Sequence, residues 1–175
     1  MVTEVLAEDQ VKHVANQSQM LQIGARNIQN FALLRTAGRS WRPVLLKRGI
    51  AATIDEFLHA AEYIMQAGNS QVVLCERGNR TFESSTHYTL DLSAVPVLLE
   101  RSHLPVMVDS RHAAGARRFV PALARAAKAI GAHGVIVEIH SCPEQALSDG
   151  PQVLIFEMWH RLAKQLQGPV ILAYV

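Results

Sequence analysis

Short apolar runs alternate with longer stretches of helical period along this chain. Val2 to Val5, Met20 to Ile23, Val44 to Leu46, Val72 to Cys75, Val106 to Val108 and Val135 to Val137 are the strand-length runs. The last four are apolar throughout instead of alternating, the signature of strands buried on both faces of a parallel sheet. Between them the spacing predicts helices over Glu8 to Asn16, Ile28 to Ala37, a segment starting after Thr53, Val120 to Ile130 and Val153 to Leu166. Thr53 with Glu56 three residues on forms a capping box. The helix it starts carries Phe57, Leu58, Ala61 and Ile64 on its apolar stripe and stops at Gly68. Alternating strands and helices of this kind predict an α/β fold of the (β/α)8 barrel type, incomplete, with about six units where a full barrel needs eight. Residues 1–167 are expected to form that partial barrel; 168–175, apolar except for the hydroxyl of Tyr174, form a tail that is either a last strand or an unnatural terminus.

Composition narrows the class. A hydrophobic fraction of 49% with 18% charged residues belongs to a folded globular chain. A formal net charge of +2, with no basic tract interleaved with aromatics, argues against a nucleic-acid partner. No apolar run is long enough to cross a bilayer, and the N-terminus lacks a signal-peptide layout, so no membrane role is expected. Two cysteines, Cys75 and Cys142, make no disulfide framework, which places the chain in a reducing cytoplasm. Cys75 reads as a small core residue.

Polar residues cluster just after the strands, where a barrel builds its active site. Leu45-Leu46-Lys47-Arg48-Gly49 and Leu74-Cys75-Glu76-Arg77-Gly78 each deliver a cation at a strand end, and Ile23-Gly24-Ala25-Arg26-Asn27 delivers a third. A single such residue is usually solvated. Three at equivalent positions, Arg26, Lys47 and Arg77, suit a small multiply charged anion such as a phosphate ester, gripped by guanidinium forks and an ammonium point charge. Arg48 and Arg80 serve either that site or loop packing. A second candidate set is His112, Glu138 and Asp149: one imidazole and two carboxylates suit a divalent Mn, Fe, Co or Zn ion. His140 competes with His112, and Asp149-Gly150 taken alone reads as a turn.

Taken together, several strings resemble those of 3-deoxy-7-phosphoheptulonate synthase, in the branch related to 3-deoxy-octulosonate 8-phosphate synthase. They are IGARN with Gln29-Asn30-Phe31, LLKRG, LCERG with Arg80-Thr81-Phe82-Glu83, Thr89-Leu90-Asp91-Leu92-Ser93, SHLP at Ser102 to Pro105, the strand end at Ile136 to His140, and ALSDG. The resemblance runs from the first residues to about Gln152. It implies a metal-dependent transferase on a TIM barrel, which condenses phosphoenolpyruvate with erythrose 4-phosphate at the entry to the shikimate route to aromatic amino acids. By motif, Arg26, Lys47, Glu76, Arg77 and Arg80 are assigned to substrate, Lys47 and His112 to catalysis, and His112, Glu138 and Asp149 to a divalent metal. The chain begins where the family's third strand is expected, so a cysteine ligand and a substrate-gripping loop that the family carries earlier have no counterpart in it. The family's Asp-Pro-Ser-His run is here Asp109-Ser110-Arg111-His112, which places an arginine beside the metal-assigned histidine. Ser141-Cys142-Pro143 stands where the family prefers Pro-Glu-Pro. Unpaired strand edges of a partial barrel predict a homo-oligomer, and a catalytically degenerate remnant that binds phosphorylated metabolites or a partner subunit is the alternative reading.

Overall fold

A computed structural model describes residues 1–166 and the backbone of 170–174. It divides into two compact units, Met1–Cys75 with Ser102–Pro105, and Glu76–Arg101 with Val106–Val175.

In the first unit the strands β1 (Val2–Val5), β2 (Met20–Ile23), β3 (Val44–Lys47) and β4 (Val72–Glu76, entering the second unit at its last residue) pair in parallel in chain order. Helices α1 (Glu8–Gln17), α2 (Phe31–Gly38) and α3 (Ile54–Gln66) make the crossovers. Every residue of β3 is buried, which is why its sequence is a continuous apolar run up to Lys47. The capping box is present: the Thr53 hydroxyl accepts from the Glu56 N–H at 3.1 Å, and the Glu56 carboxylate accepts from the Thr53 N–H at 2.7 Å. The buried stripe of α3 is Phe57, Ala60, Ala61 and Ile64; Ala60 takes the place expected for Leu58, which is half-buried. Those four positions follow the i, i+3, i+4, i+7 spacing of one helical face. Helix α2 starts three residues later than expected because Asn30 caps it, its side chain accepting from the Leu33 N–H at 3.2 Å. Ala25–Asn27 ahead of it forms a separate 3-10 turn.

In the second unit β5 (Val106–Asp109), β6 (Gly134–Ile139) and β7 (Val170–Tyr174) are parallel neighbours, with Asp109 opposite Ile136 and Glu138 opposite Ala173. Residues 170–174 of the expected tail are therefore a strand; 168, 169 and 175, and residue 167 at the end of the expected barrel segment, lie outside the described residues. Helices α4 (Ala94–Arg101), α5 (Ser110–Ala114), α6 (Val120–Ala129) and α7 (Phe156–Leu166) complete the unit. Neither α4 nor α5 is foreseen from periodicity; the five residues of α5 span too few turns to show a stripe. Pro96 fits in α4 because it lies in the first turn, where N–H groups have no intrahelical acceptor. Helix α7 begins at Phe156, not Val153, because Leu154 is extended and bridges Ile139. The Leu154 N–H donates to the Glu138 carbonyl at 2.9 Å, and the His140 N–H donates to the Leu154 carbonyl at 3.0 Å. Among the described residues no helix is long and apolar enough to cross a membrane.

Candidate functional site

The strand ends of the first unit present two of the expected cations in different settings. Arg26 is exposed on the 3-10 turn after β2, whereas Lys47 closes β3 and is 3% exposed, opposite Cys75 of β4. The turn beyond Lys47 is tight: the Arg48 Nε donates to the Ala52 carbonyl at 2.9 Å, and a Cβ on Gly49 would meet Ile28 Cγ2 at 2.9 Å. Only a residue without a side chain fits there without displacing a packed neighbour. A groove of about 500 Å³ in this unit is lined by Phe31, His59 and Tyr63 among others, and none of the strand-end cations lines it.

The second unit holds the more constrained group. Glu76 is fully buried, and its Oε1 accepts from the Gly78 N–H at 2.6 Å. That bond turns the chain sharply after β4, with Gly78 at φ +94°. Arg77, buried in the same turn, lays its guanidinium 4.1 Å from the ring centroid of Tyr88. Its Nη1 is buried and makes no hydrogen bond. A buried guanidinium donor without an acceptor is costly in a folded protein, and an anion is the group that would satisfy it. Arg80 is exposed, in the segment closed by the antiparallel bridge of Asn79 and Thr89.

One residue after β5 the chain enters α5. Asp109, fully buried, caps it by accepting from the His112 N–H at 3.2 Å, and its Oδ2 lies 2.7 Å from His112 Nδ1. Arg111 projects between carboxylates: its Nη1 contacts Oε1 of Glu138 and lies 3.4 Å from Oδ2 of Asp149, and its Nε is 3.7 Å from Oδ1 of Asp109. Asp149 itself adopts the left-handed conformation, φ 57°, which aspartate tolerates in turns. The structure thus brings Glu138 and Asp149 together, around a guanidinium and not around an open cradle. His112 pairs with Asp109, and among the described residues no group of three His, Cys, Asp or Glu side chains is placed to hold a metal ion. Of the expected metal set, Glu138 and Asp149 each present an oxygen to Arg111 Nη1, while His112 turns to Asp109.

Around the following loop, Arg117 Nη2 donates to the Gly150 carbonyl at 3.3 Å and pairs with Glu144 at 3.6 Å. The Cys142 N–H donates to His140 Nδ1 at 2.9 Å, and its thiol to Glu144 Oε2 at 3.6 Å. The carboxyl of Glu144 is held below the usual range by its own backbone N–H, the Cys142 thiol and Arg117. Ser85 does the same for Glu83. Sequence reasoning assigned no role to Tyr88 or Arg111. For Arg111 the signal was present as the departure from Asp-Pro-Ser-His; for Tyr88 there was none.

Parallel βα units whose strand ends carry buried cations and carboxylates define an incomplete barrel-type α/β protein. The comparisons narrow this to one family. The profile of the DAHP synthetase I family matches residues 1–170, and the chain belongs to that family. It is 54% identical over 167 residues to the phospho-2-dehydro-3-deoxyheptonate aldolase of Thermotoga maritima, covering 95% of this chain and 49% of that relative. It is 31% identical over 177 residues to a 2-dehydro-3-deoxyphosphooctonate aldolase of Desulfatibacillum aliphaticivorans, covering 95% and 64%. The crystal structure of the Thermotoga maritima DAHP synthase superposes with a TM-score of 0.94 at 55% identity, over 95% of this chain and 49% of that one. A truncated form of the Thermotoga synthase gives 0.93 at 55% identity, over 95% and 63%. The chain spans about half the length of the first of these relatives and under two thirds of the other. The family and the incomplete barrel-type class expected from the sequence are those observed.

Proposed function

We propose that this chain supplies the phosphoenolpyruvate-binding part of a 3-deoxy-7-phosphoheptulonate synthase, a transferase whose second substrate is erythrose 4-phosphate. The observation that carries the reading is Arg77, whose buried Nη1 has no hydrogen-bond acceptor and whose guanidinium is fixed in place over Tyr88. A guanidinium held this way is preorganised for a phosphate or carboxylate, so little side-chain entropy is lost when the anion arrives. The resemblance assigns Arg26, Lys47, Glu76 and Arg80 to substrate, and the burial of Lys47 and Glu76 at strand ends supports a role beyond surface charge. Lys47 is the candidate proton-handling or charge-neutralising group, and His112, oriented by Asp109, the candidate acid or base.

The family resemblance brings a divalent metal with it, which would act on the aldehyde as a Lewis acid. The residues as arranged do not fit one, because Arg111 already contacts Glu138 and Asp149. Two further elements belong to the same reading. Neither Cys75 nor Cys142 is disulfide-bonded, which suits the reducing cytoplasm. Among the described residues β1 pairs only with β2, and its outer edge is a route to homo-oligomers through a second copy.

The proposal is tested by thermal unfolding of the 175-residue chain with added ligands. Phosphoenolpyruvate is expected to raise the transition temperature more than inorganic phosphate at equal concentration, and Arg26→Ala to reduce that rise. Equal stabilisation by the two anions would reduce the site to a generic phosphate trap. In a parallel assay, phosphate release from phosphoenolpyruvate that depends on erythrose 4-phosphate is expected to be negligible, with or without Mn²⁺. Release at a measurable rate would show that binding without turnover is the wrong description.

A further inference from the structure

The carboxylates that would hold a dication in this family are organised here around a residue of the chain itself. Arg111 is 6% exposed, and the atoms it meets come from three separate segments: Asp109 at the end of β5, Glu138 near the end of β6 and Asp149 in the loop before α7. Asp109 is fully buried and Glu138 3% exposed, so both need a countercharge close by. We infer that Arg111 is that countercharge: it occupies the place of a divalent cation between Glu138 and Asp149, so that the cluster is complete without a metal ion.

Three observations support this beyond proximity. First, the same nitrogen, Nη1, contacts one oxygen of Glu138 and approaches one of Asp149. An oxygen taken by a guanidinium N–H is a weakened ligand, and a dication set against a guanidinium is repelled by a charge that cannot be removed by deprotonation. Second, the position of Arg111 is fixed by the start of its helix. Asp109 caps α5 through the His112 N–H and pairs with the His112 ring, and the Gly115 N–H closes the helix on the Arg111 carbonyl at 3.1 Å. Third, the imidazole is turned to Asp109 through Nδ1 at 2.7 Å, and no three His, Cys, Asp or Glu side chains among the described residues are placed to hold a metal ion. A serine at 111, as in the family's run, could neither reach nor neutralise these carboxylates.

The inference does not depend on phosphoenolpyruvate being the anion, and its test contains no substrate. Mn²⁺ alone is titrated into the chelator-treated chain and into Arg111→Ser, followed by calorimetry, by the electron paramagnetic resonance of free Mn²⁺ and by the unfolding temperature. The unaltered chain is expected to show no saturable site at micromolar Mn²⁺ and no change in unfolding temperature with metal or chelator. Arg111→Ser is expected to unfold at lower temperature without metal, to bind one Mn²⁺ at least about tenfold more tightly than the unaltered chain, and to recover stability on binding. Arg111→Ser/Glu138→Gln should lose that binding. A folded Arg111→Ser that takes up no Mn²⁺ would overturn the inference. So would an unaltered chain that binds one equivalent tightly and loses stability when it is stripped; this second measurement decides the matter even if Arg111→Ser fails to fold.

Discussion

The guanidinium of Arg77 stacks 4.1 Å from the ring centroid of Tyr88, and the Tyr88 N–H donates to the Ala113 carbonyl at 3.0 Å. The residue after β4 is thereby tied, through the ring and the backbone of one tyrosine, to the short helix that carries Arg111 and His112. The close fit extends to Gly78, where a Cβ would meet Tyr88 Cβ at 2.9 Å and Ala113 Cβ at 3.1 Å. Local sequence dictates the turn, through Glu76 accepting from Gly78; packing against Tyr88 then dictates where the guanidinium rests.

Tyr88→Leu should therefore weaken phosphoenolpyruvate binding about three- to tenfold, the share expected of one cation–π contact, while Tyr88→Phe keeps it. Equilibrium titration of the two variants checks this. Equal loss in both would assign the effect to the hydroxyl and not to the ring.

Thr53→Ala should cost about 1 kcal/mol of stability in urea unfolding, because it removes the acceptor of one half of the capping box of α3. Thr53→Ser should retain most of it. The anion site lies on other elements, so the affinity of folded protein for phosphoenolpyruvate should not change in either variant.

Glu144 should titrate below an ordinary glutamate when followed by NMR, since its own backbone N–H, the Cys142 thiol and Arg117 favour the charged form. A carboxyl whose folded pKa is depressed contributes stability at pH values above its unfolded pKa and loses it as pH falls through the folded one. The contribution of Glu144 is thus present at neutral pH and fades on acidification. Arg117→Gln should move the titration part of the way back up, and no movement would remove Arg117 as a cause.

Much of the scaffold was legible because burial on both faces leaves a plain trace. Val44 to Leu46 reads as a strand from its apolar run alone, and Thr53 with Glu56 marks the start of α3 by residue type and spacing. Helix α5 left no such trace: its five residues complete little more than one turn, and its cap, Asp109, looks like any polar residue after a strand. The cations were legible as strand-end residues, but their differences were not. Arg26 is exposed and Lys47 buried, a contrast set by the 3-10 turn at Ala25–Asn27 against the last position of β3. The surroundings of Arg111 were not legible either. Its partners Asp109, Glu138 and Asp149 lie up to 38 residues away in the chain, and only the folded unit brings them to one guanidinium.

The most direct test of the account is calorimetric titration of phosphoenolpyruvate into the 175-residue chain and into Arg77→Ala. Saturable binding at one site is expected, weakened about 10- to 100-fold in the variant, as the loss of a charge-assisted contact requires. Absence of binding to the unaltered chain, or the same affinity in both proteins, would contradict it.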